Sequence, residues 1–375
     1  IDSLLGAATL QNNTIVANSG AGVFWGNTSP TNENNLVAFN TWGFERSPAF
    51  ANEAVIRFNN VFGNSVLGMT GDYRFIPTQT GNNGNLSAEP ALANYRIGDF
   101  HLQPESPCVD AGSPAPQPTA SPDIDGQPRV QGDAVDIGAD ESDGTPWNVP
   151  TPVIYVSPAG SNGDGRSWAT AKQTLKAGLD AAATVTTGGE VWVAEGVYPE
   201  HVELPAYVSL LGGFAGTETV REARSPTAHP TVMDGGGVTR VLYVRNAGYR
   251  LSTLDGFILQ HGGRFTNGDP LHPELAYRTN DTFGGAIYCR VSSPVIANNV
   301  IRTNSIGSPY TPADAQGAGL YGYLSHALIT GNTFLQNENL NDFDGQGGGI
   351  HSRESMMEVD QNVFTANRSV VGSAF

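Results

Sequence analysis

Asn298–Asn304 reads NNVIRTN, Gly331–Asn337 reads GNTFLQN and Gln361–Asn367 reads QNVFTAN. Each stretch places an asparagine before a short apolar run and a second asparagine after it. Three similar segments lie near the start of the sequence: NNTIVAN (Asn12–Asn18), NNLVAFN (Asn34–Asn40) and the shorter NNVFGN (Asn59–Asn64). The chain therefore contains an internal repeat, and such a repeat constrains the whole fold.

A glycine-rich motif that ends on an apolar residue precedes these segments. It reads GGAI at Ile287, GAGL at Leu320, GGGI at Ile350, GAGV at Val23 and WGF at Phe44. The step from the apolar residue to the anchor asparagine is 12 residues in the first four repeats, whereas neighbouring anchors lie 22 to 33 residues apart. The repeat thus has a constant frame that takes insertions at one loop.

Repeats of this length, made of short β-branched and aromatic runs broken by glycine and asparagine, predict the stacked coils of a parallel β-helix. Helical repeats fit badly, because each glycine would cost about 1 kcal/mol inside a helix. Asparagine suits tight bends, and its stacked side chains can hydrogen-bond as ladders. We predict asparagine-ladder turns at Asn13, Asn35, Asn60, Asn299, Asn332 and Asn362.

Two further regions resemble the ends of a known fold. Ile154–Val185 resembles an opening cap with a short helix near residues 167–184. Ser167 can cap this helix, and Trp168, Leu175 and Leu179 can share one face of it. Glu190–Phe214 resembles the first coils. Asp99–Ser113 and Asp123–Glu141 resemble an exit cap. On these motifs and the coils, the chain resembles the right-handed parallel β-helix family, the pectate-lyase-like superfold, and its bacterial surface members.

The caps occur in inverted order, which predicts three parts. Residues 1–141 are the C-terminal half of a β-helix with its exit cap, residues 142–152 are a proline-rich linker, and residues 153–375 are the opening cap and N-terminal half. The eleven linker residues reach at most about 40 Å, less than the roughly 60 Å of some twelve stacked coils. Closure within one chain is therefore not expected.

Joining the two ends of the sequence would restore the repeat. If Ile1 followed Phe375, the anchor step from Asn362 to Asn13 would be 26 residues, inside the observed range. We therefore expect the halves to complete one another head to tail, either within a cropped tandem array or by strand exchange between chains; both alternatives stay open. The predicted assembly interface comprises Ile1, Leu4, Leu5, Leu10, Val371 and Phe375.

Composition excludes some functions. The 375 residues include 19 basic and 36 acidic residues, a net charge of −17, whereas nucleic-acid binding depends on basic side chains that neutralise phosphate. The sequence has no run of 18 or more apolar residues, so no membrane span is predicted. Two cysteines, Cys108 and Cys289, are too few for a disulfide framework and are expected to be buried thiols.

The family resemblance also implies an alternative, since many relatives cleave acidic polysaccharides. A lyase of that type needs carboxylates that hold Ca²⁺ and an Arg or Lys base. The candidate residues are Asp255, His261, Arg264, Asp342, Asp344, His351, Arg353 and Glu354. No spacing brings them together, and we predict that they are solvated turn residues; three converging carboxylates beside Arg264 or Arg353 would favour the lyase.

Calcium at the exit region and glycans on exposed aromatic residues are two further candidate ligands. The acidic residues of the exit region, namely Asp123, Asp125, Asp133, Asp136 and Asp140, could bind Ca²⁺, but we favour a role in turns and caps. Exposed Trp25, Trp42 or Tyr310 could bind glycans, although core packing explains most aromatic residues of such a fold. No cofactor is predicted, and calcium is the alternative.

We therefore predict a non-enzymatic, extracellular or cell-surface structural protein of bacterial type. It would be the repeating unit of a head-to-tail filament or tandem array, with residues 1–142 of one copy completing residues 152–375 of another. Its partner is itself, and glycans are a second expected partner. The alternatives are a Ca-dependent polysaccharide lyase and a carbohydrate-binding adhesin.

Overall fold

The computed structural model is nearly all β. It describes the chain apart from residues 4–7, 19, 67–68, 96–98, 115–121, 148–151, 186–187, 239, 246–248, 264–281, 308–314, 343–344 and 375. The chain divides into unit 1, Ile1–Val66 with Thr70–Pro150, and unit 2, Leu67–Met69 with Thr151–Phe375. That these units are two halves of one β-helix stays a prediction.

Short strands, most of three to five residues, make up unit 1. They are β1 Asp2–Ser3, β2 Thr9–Gln11, β3 Thr14–Val16, β4 Ala21–Trp25, β5 Thr31–Glu33, β6 Leu36–Ala38, β7 Trp42–Arg46, β8 Val55–Arg57, β9 Asn60–Phe62, β10 Ser65–Val66, β11 Met69–Thr70, β12 Tyr73–Arg74, β13 Leu92–Asn94 and β14 Asp99–Leu102. Three parallel sheets result, with the orders β1-β4-β7-β12, β2-β5-β8 and β3-β6-β9. β13 and β14 pair antiparallel.

Unit 2 repeats the same plan over more turns. Its elements are β15 Val153–Val156, α1 Leu175–Ala183, β16 Gly189–Ala194, β17 Gly196–Tyr198, β18 Val202–Leu204, β19 Val208–Phe214, β20 Thr231–Asp234, β21 Leu242–Arg245, β22 Tyr249–Asp255, β23 Phe257–Gln260, β24 Thr282–Phe283, β25 Ile287–Arg290, β26 Ser293–Ala297, β27 Val300–Arg302, β28 Ser305–Ile306, β29 Ala315–Gln316, β30 Leu320–Tyr323, β31 Leu328–Thr330, β32 Thr333–Leu335, β33 Glu338–Asn339, β34 Ile350–Arg353, β35 Glu358–Asp360 and β36 Val363–Thr365.

Three parallel sheets organise unit 2. Their orders are β15-β16-β19-β22-β26-β31-β35, β17-β20-β23-β27-β32-β36 and β18-β21-β25-β30-β34. Each repeat therefore contributes one strand to each sheet, and we call such a set of three strands a coil. This pattern of pairing fits a parallel β-helix.

The register stacks equivalent residues into apolar columns. On one sheet Ile287 lies opposite Leu320, and Leu320 lies opposite Ile350, so the apolar ends of the glycine motifs form one column. A second column joins Ile301, Phe334 and Phe364. All members of the two columns except Phe364 are fully buried in one continuous core of unit 2, and Phe364 is partly buried.

The glycine motifs are needed because successive coils approach closely. A Cβ at Gly319 would lie 2.4 Å from the carbonyl oxygen of Gly349 and 2.9 Å from the Phe334 ring. A Cβ at Gly285 would lie 2.5 Å from the carbonyl oxygen of Ala318. Neither position can take a side chain without moving the neighbouring coil.

The predicted helix near residues 167–184 is shorter in the structure. Leu175–Ala183 is the α-helix that the structure describes; it buries Leu175 and Leu179, and the Thr174 side chain caps it. Ser167 caps a separate 3-10 helix, Trp168–Thr170, so Trp168 does not share the helical face. Trp168 packs instead with Tyr155 and Phe214. None of the described helices has the length and apolar character of a membrane span.

Candidate functional site

Unit 2 ends in an open sheet edge. The strands β34, β35 and β36 are each the last member of their sheets among the described residues. The backbone N–H of Val363 donates to Asn332 O at 2.8 Å, and the carbonyl oxygen of Thr365 accepts from Gln336 N at 3.0 Å. Since alternate residues of a strand bond to opposite neighbours, the N–H and C=O of Phe364 between them face the open side.

Apolar side chains are exposed on this last coil. Met356, Val363, Val370 and Val371 are each 52 to 56% exposed. The Phe364 ring stacks on Phe334, with 4.8 Å between ring centroids, and is only partly buried. Residues 371–374 lie along the start of β34, where their carbonyl oxygens accept from the N–H groups of residues 347–350, whereas β35 and β36 have no covering strand among the described residues. We call β34–β36 and this coil the tail edge.

Unit 1 begins with a comparable edge. Here β1, β2 and β3 are each the first strand of their sheets among the described residues. The carbonyl oxygen of Asn13 accepts from Leu36 N at 2.8 Å, and Ala17 N donates to Ala38 O at 3.2 Å. By the same alternation the N–H groups of Thr14 and Val16 face away from the rest of unit 1. We call β1–β3 the head edge.

Asparagine side chains link successive coils in rows. In unit 2 the Nδ2 group of Asn299 donates to the Oδ1 atom of Asn332 at 3.0 Å, and that of Asn332 donates to Asn362 Oδ1 at 3.0 Å. In unit 1 Asn13 Nδ2 donates to Asn35 Oδ1 at 2.8 Å. The backbone N–H groups of Asn299, Asn332 and Asn13 bond to the same oxygens.

The row of unit 1 continues through a different residue from the one predicted. Asn35 Nδ2 donates to Asn59 Oδ1 at 3.0 Å, so Asn59, and not Asn60, occupies the ladder position. Asn60 belongs to β9, and its side chain donates to Ala88 O and Cys108 Sγ. The sequence pattern predicts the second asparagine of NNVFGN, Asn60, at the ladder position. The structure instead matches Asn59 to Asn35 and Asn64 to Asn40.

A second row runs parallel to the first, five residues along each coil. It joins Asn18 to Asn40 and Asn40 to Asn64 in unit 1, and in unit 2 it joins Asn304, Asn337 and Asn367. The positive φ that we expected at the ladder asparagines lies one residue earlier, as at Gln361 (φ 53°) and Ala366 (φ 53°). Each ladder asparagine therefore follows the bend and ties it to the next coil.

The predicted interface residues lie at these two edges where they are described. Ile1 is 54% exposed, and its ammonium group donates to Gly22 O at 2.8 Å. Leu10 is buried in the core of unit 1. Val371 is exposed on the last coil of unit 2 and bonds to Gly345 O and Gly347 N. Leu4, Leu5 and Phe375 lie outside the described residues.

The predicted catalytic candidates have separate local partners. Asp255 pairs with Arg224 at 2.7 Å, His261 with Asp234 at 2.9 Å, and Arg353 with Glu354 at 3.6 Å. His351 stacks on Tyr321; burial and the Arg353 charge lower its pKa. Asp342 is exposed, and Arg264 and Asp344 lie outside the described residues. These pairs do not converge on one centre.

A cleft of about 530 Å³ lies beside His261, and its lining includes Gly236, Thr303, Ser305 and Leu340. Among the described residues of its lining there is neither Arg353 nor a carboxylate. Among the described residues, three metal-ligating side chains come within 4.8 Å of one another at His101, Asp125 and Asp140 of unit 1. The constellation that would favour a lyase is therefore not found in the described part of the chain.

The acidic exit region uses its carboxylates mainly to hold backbone N–H groups. Asp123 accepts from the N–H groups of Asp125 and Gln127, and Asp136 accepts from Asp110 and Ser142. Burial raises the pKa of Asp136 to about 6. These bonds match a role in turns and caps.

Two further acidic side chains complete this region. Burial raises the pKa of Glu141 to about 7, although its carboxylate accepts from Gln131 N and Asp136 N. Burial also raises the pKa of Asp140, whereas Asp133 is exposed. Burial therefore raises the pKa of three carboxyl groups of the exit region above their ordinary values, namely those of Asp136, Asp140 and Glu141.

Sequence reasoning missed the histidine in this region. His101 Nδ1 lies 2.6 Å from Asp99 Oδ1, and its Nε2 lies 3.0 Å from Asp125 Oδ2, while Trp147 stacks on the ring. Burial alone would lower the pKa of His101, but the hydrogen bonds with Asp99 and Asp125 raise it above its ordinary value. A His, Asp, Asp set suits a transition metal better than Ca²⁺, which prefers oxygen ligands.

The aromatic glycan candidates differ in exposure. Trp25 is fully buried and its indole N–H donates to Asn52 O at 3.2 Å, so it offers no glycan platform. Trp42 is partly exposed and lies under the guanidinium of Arg74, 4.5 Å from the ring centroid. Tyr310 lies outside the described residues. Cys108 and Cys289 are buried free thiols.

Comparison with known proteins adds little. No protein-family model matches the chain, and no curated protein matches it. A solved structure of a mutant PL6 family alginate lyase, AlyGC, matches with 12% sequence identity and a TM-score of 0.23, over 95% of this chain and 69% of that chain. A TM-score this low supports neither a shared fold nor a shared activity. The strand pairings define the architecture.

Proposed function

We propose that this chain is a non-enzymatic structural protein, a segment of a right-handed parallel β-helix rod that extends by adding coils at its open edge. The single observation that carries the proposal is the tail edge, where β35 and β36 have no covering strand among the described residues and the valines beside them are exposed. An unpaired strand edge is a template for another strand. The product is a longer rod, either between chains or along one longer chain.

The contrast between the two ends of unit 2 supports this function. At its first coils, α1 buries Leu175 and Leu179 in the core of the unit. At the tail edge Val363 and Val371 are exposed instead. Natural sheets blunt their edges with caps or charges unless pairing is the purpose. The exposed valines can therefore pack against a further coil.

The arrangement of the ionisable residues also favours a structural role. Asp255, His261 and Arg353 each have a local partner and lie on different strands or turns. A polysaccharide lyase would need its carboxylates and its base to converge on one sugar-binding cleft. Extracellular or cell-surface location, bacterial origin and glycan contacts belong to the same proposal and rest on the family resemblance.

The experiment measures self-association and polysaccharide cleavage of the same preparation. We expect sedimentation velocity of the 39.4 kDa chain to reveal multimers that grow with concentration, and electron microscopy to show rods. Incubation with acidic polysaccharides and Ca²⁺ should produce no unsaturated ends. Ca-dependent eliminative cleavage would overturn the structural assignment, and a strictly monomeric chain at high concentration would exclude extension between chains.

A further inference from the structure

We infer that the occupant of the tail edge is the head edge of a second copy of this chain, joined in one direction and one register. This inference rests on the proposed function and names its partner. In the joined rod β36 of one copy pairs with β3 of the next, and Val363, Phe364 and Thr365 lie opposite Thr14, Ile15 and Val16. Backbone alternation, the asparagine rows and the apolar columns select this pairing independently.

The free backbone groups of the two edges are complementary. At the tail edge the C=O of Asn362 and both the N–H and C=O of Phe364 face outward; at the head edge the N–H groups of Thr14 and Val16 do so. In the parallel pattern of this fold, Leu36 N donates to Asn13 O of the preceding coil. The same pattern makes Thr14 N donate to Asn362 O, and Val16 N to Phe364 O.

The asparagine rows have a direction, which fixes the polarity of the join. In every described step the lower-numbered asparagine donates through N–H and Nδ2 to the Oδ1 atom of the next, as from Asn332 to Asn362. The tail edge therefore ends on the backbone N–H of Asn362, and the head edge begins on the Oδ1 atom of Asn13. These atoms have no hydrogen-bond partner among the described residues, and one can donate to the other.

The second row repeats this match. Asn337 donates to Asn367 Oδ1 at 2.9 Å, and Asn18 donates to Asn40 Oδ1 at 2.8 Å. Asn367 follows Asn362 by five residues, and Asn18 follows Asn13 by five. Both rows therefore continue in one register. Two tail edges cannot satisfy one another, because each would present a donor to a donor.

The apolar columns meet at the same register. Ile15 occupies the position in β3 that Phe364 occupies in β36, two residues after the ladder asparagine. Ile15 pairs with Val37 in unit 1, and Phe364 pairs with Phe334 in unit 2. Placing Ile15 on the partly buried ring of Phe364 covers the end of the core and continues the column.

Two proline variants of the full chain test the polarity. Phe364→Pro removes the N–H that faces outward at the tail edge, and Val16→Pro removes one at the head edge; neither N–H takes part in pairing within its own unit. Phe364→Ala and Val16→Ala are matched controls that lose the same side chains and keep the N–H groups. Val359→Pro, on β35, is a second tail-edge block. Circular dichroism checks that each variant is folded.

The expected readout is molar mass by light scattering after size exclusion. The wild type forms multimers, each proline variant alone is a monomer, and each alanine variant, which loses the side-chain contact but keeps the N–H, has a higher average mass than its proline counterpart. An equimolar mixture of the two proline variants gives a dimer of twice 39.4 kDa. A monomeric wild type would overturn this join between copies, whereas the polysaccharide-cleavage assay tests the structural role separately. If the wild type assembles, two results would overturn the head-to-tail join while leaving self-assembly intact. One is a dimer of either proline variant alone, and the other is the lack of a dimer in their mixture.

Discussion

Replacing Asn332 by alanine probes the ladder at its most enclosed point. Asn332 is almost fully buried. Its Nδ2 group donates to Ile296 O at 2.8 Å and to Asn362 Oδ1 at 3.0 Å. Its Oδ1 atom accepts from the backbone N–H of Asn299 at 2.9 Å and from Asn299 Nδ2 at 3.0 Å. Alanine would therefore remove a hydrogen bond from four groups of the two neighbouring coils. Asn362 Oδ1 keeps the backbone N–H of Asn332 and Asn299 Nδ2 keeps Leu254 O, so the main loss falls on the Ile296 carbonyl and the Asn299 N–H.

The magnitude follows from those last two groups. A buried polar group that loses its partner costs about 1 to 3 kcal/mol, and partial relaxation or an entering water lowers the sum. We expect Asn332→Ala to reduce the free energy of unfolding by about 3 to 5 kcal/mol. The matched control is Asn362→Ala in the same row, where water reaches the edge and a loss of about 1 to 2 kcal/mol is expected.

The assay is urea unfolding of both variants, followed by far-ultraviolet circular dichroism in dilute protein where assembly does not contribute. The midpoint and slope of each transition give the change in stability. A loss below about 1 kcal/mol for Asn332→Ala, or equal losses for the two variants, would show that the ladder does not hold the coils together.

Three further outcomes are expected. Gly319→Ala forces a Cβ against the Gly349 carbonyl oxygen and should lower the free energy of unfolding in urea by about 1 to 3 kcal/mol. The control Gly20→Ala, with open space around it, should change that free energy by less than about 0.5 kcal/mol. Equal effects of the two variants would contradict the close approach of the coils. Burial raises the pKa of the Cys108 thiol to about 11 and that of Cys289 to about 12, so a thiol reagent at pH 8 should label both only after denaturation; rapid labelling of folded protein would refute their burial. Because burial raises the pKa of Glu141 to about 7, the folded chain holds a proton that the unfolded chain releases above about pH 4. Stability should therefore fall as pH rises from 5 to 8, and Glu141→Gln should flatten that slope in thermal melts; an unchanged slope would remove Glu141 as its source.

The repeat could be read from sequence because its spacing is set by the fold. The 12-residue step from Ile350 to Asn362 reflects two short strands and their fixed bends, and insertions fall in loops that leave this frame unchanged. The one-residue error at Asn60 arose where two adjacent asparagines compete for the ladder position. Only the pairing of Leu36 with Asn60 shows that Asn60 belongs to a strand.

The side-chain clusters could not be predicted in the same way. His101 and Asp140 are brought together by the exit region, where the backbone N–H of Leu102 donates to Asp140. No periodic spacing relates these residues. Tyr243, Tyr288 and Tyr321 likewise form a buried row because β21, β25 and β30 are in register, which the sequence reveals only once the strands are aligned. Trp168 was misplaced because a serine cap signals a 3-10 turn as well as an α-helix.

The most direct test is a high-resolution structure of the native assembled material, traced through the tail edge. The account predicts that β2 and β3 are seated on β35 and β36, with Asn13 Oδ1 about 3 Å from the backbone nitrogen of Asn362 and Ile15 packed on Phe364. A structure in which the tail edge is covered by an unrelated segment, or faces solvent in the native material, would contradict it.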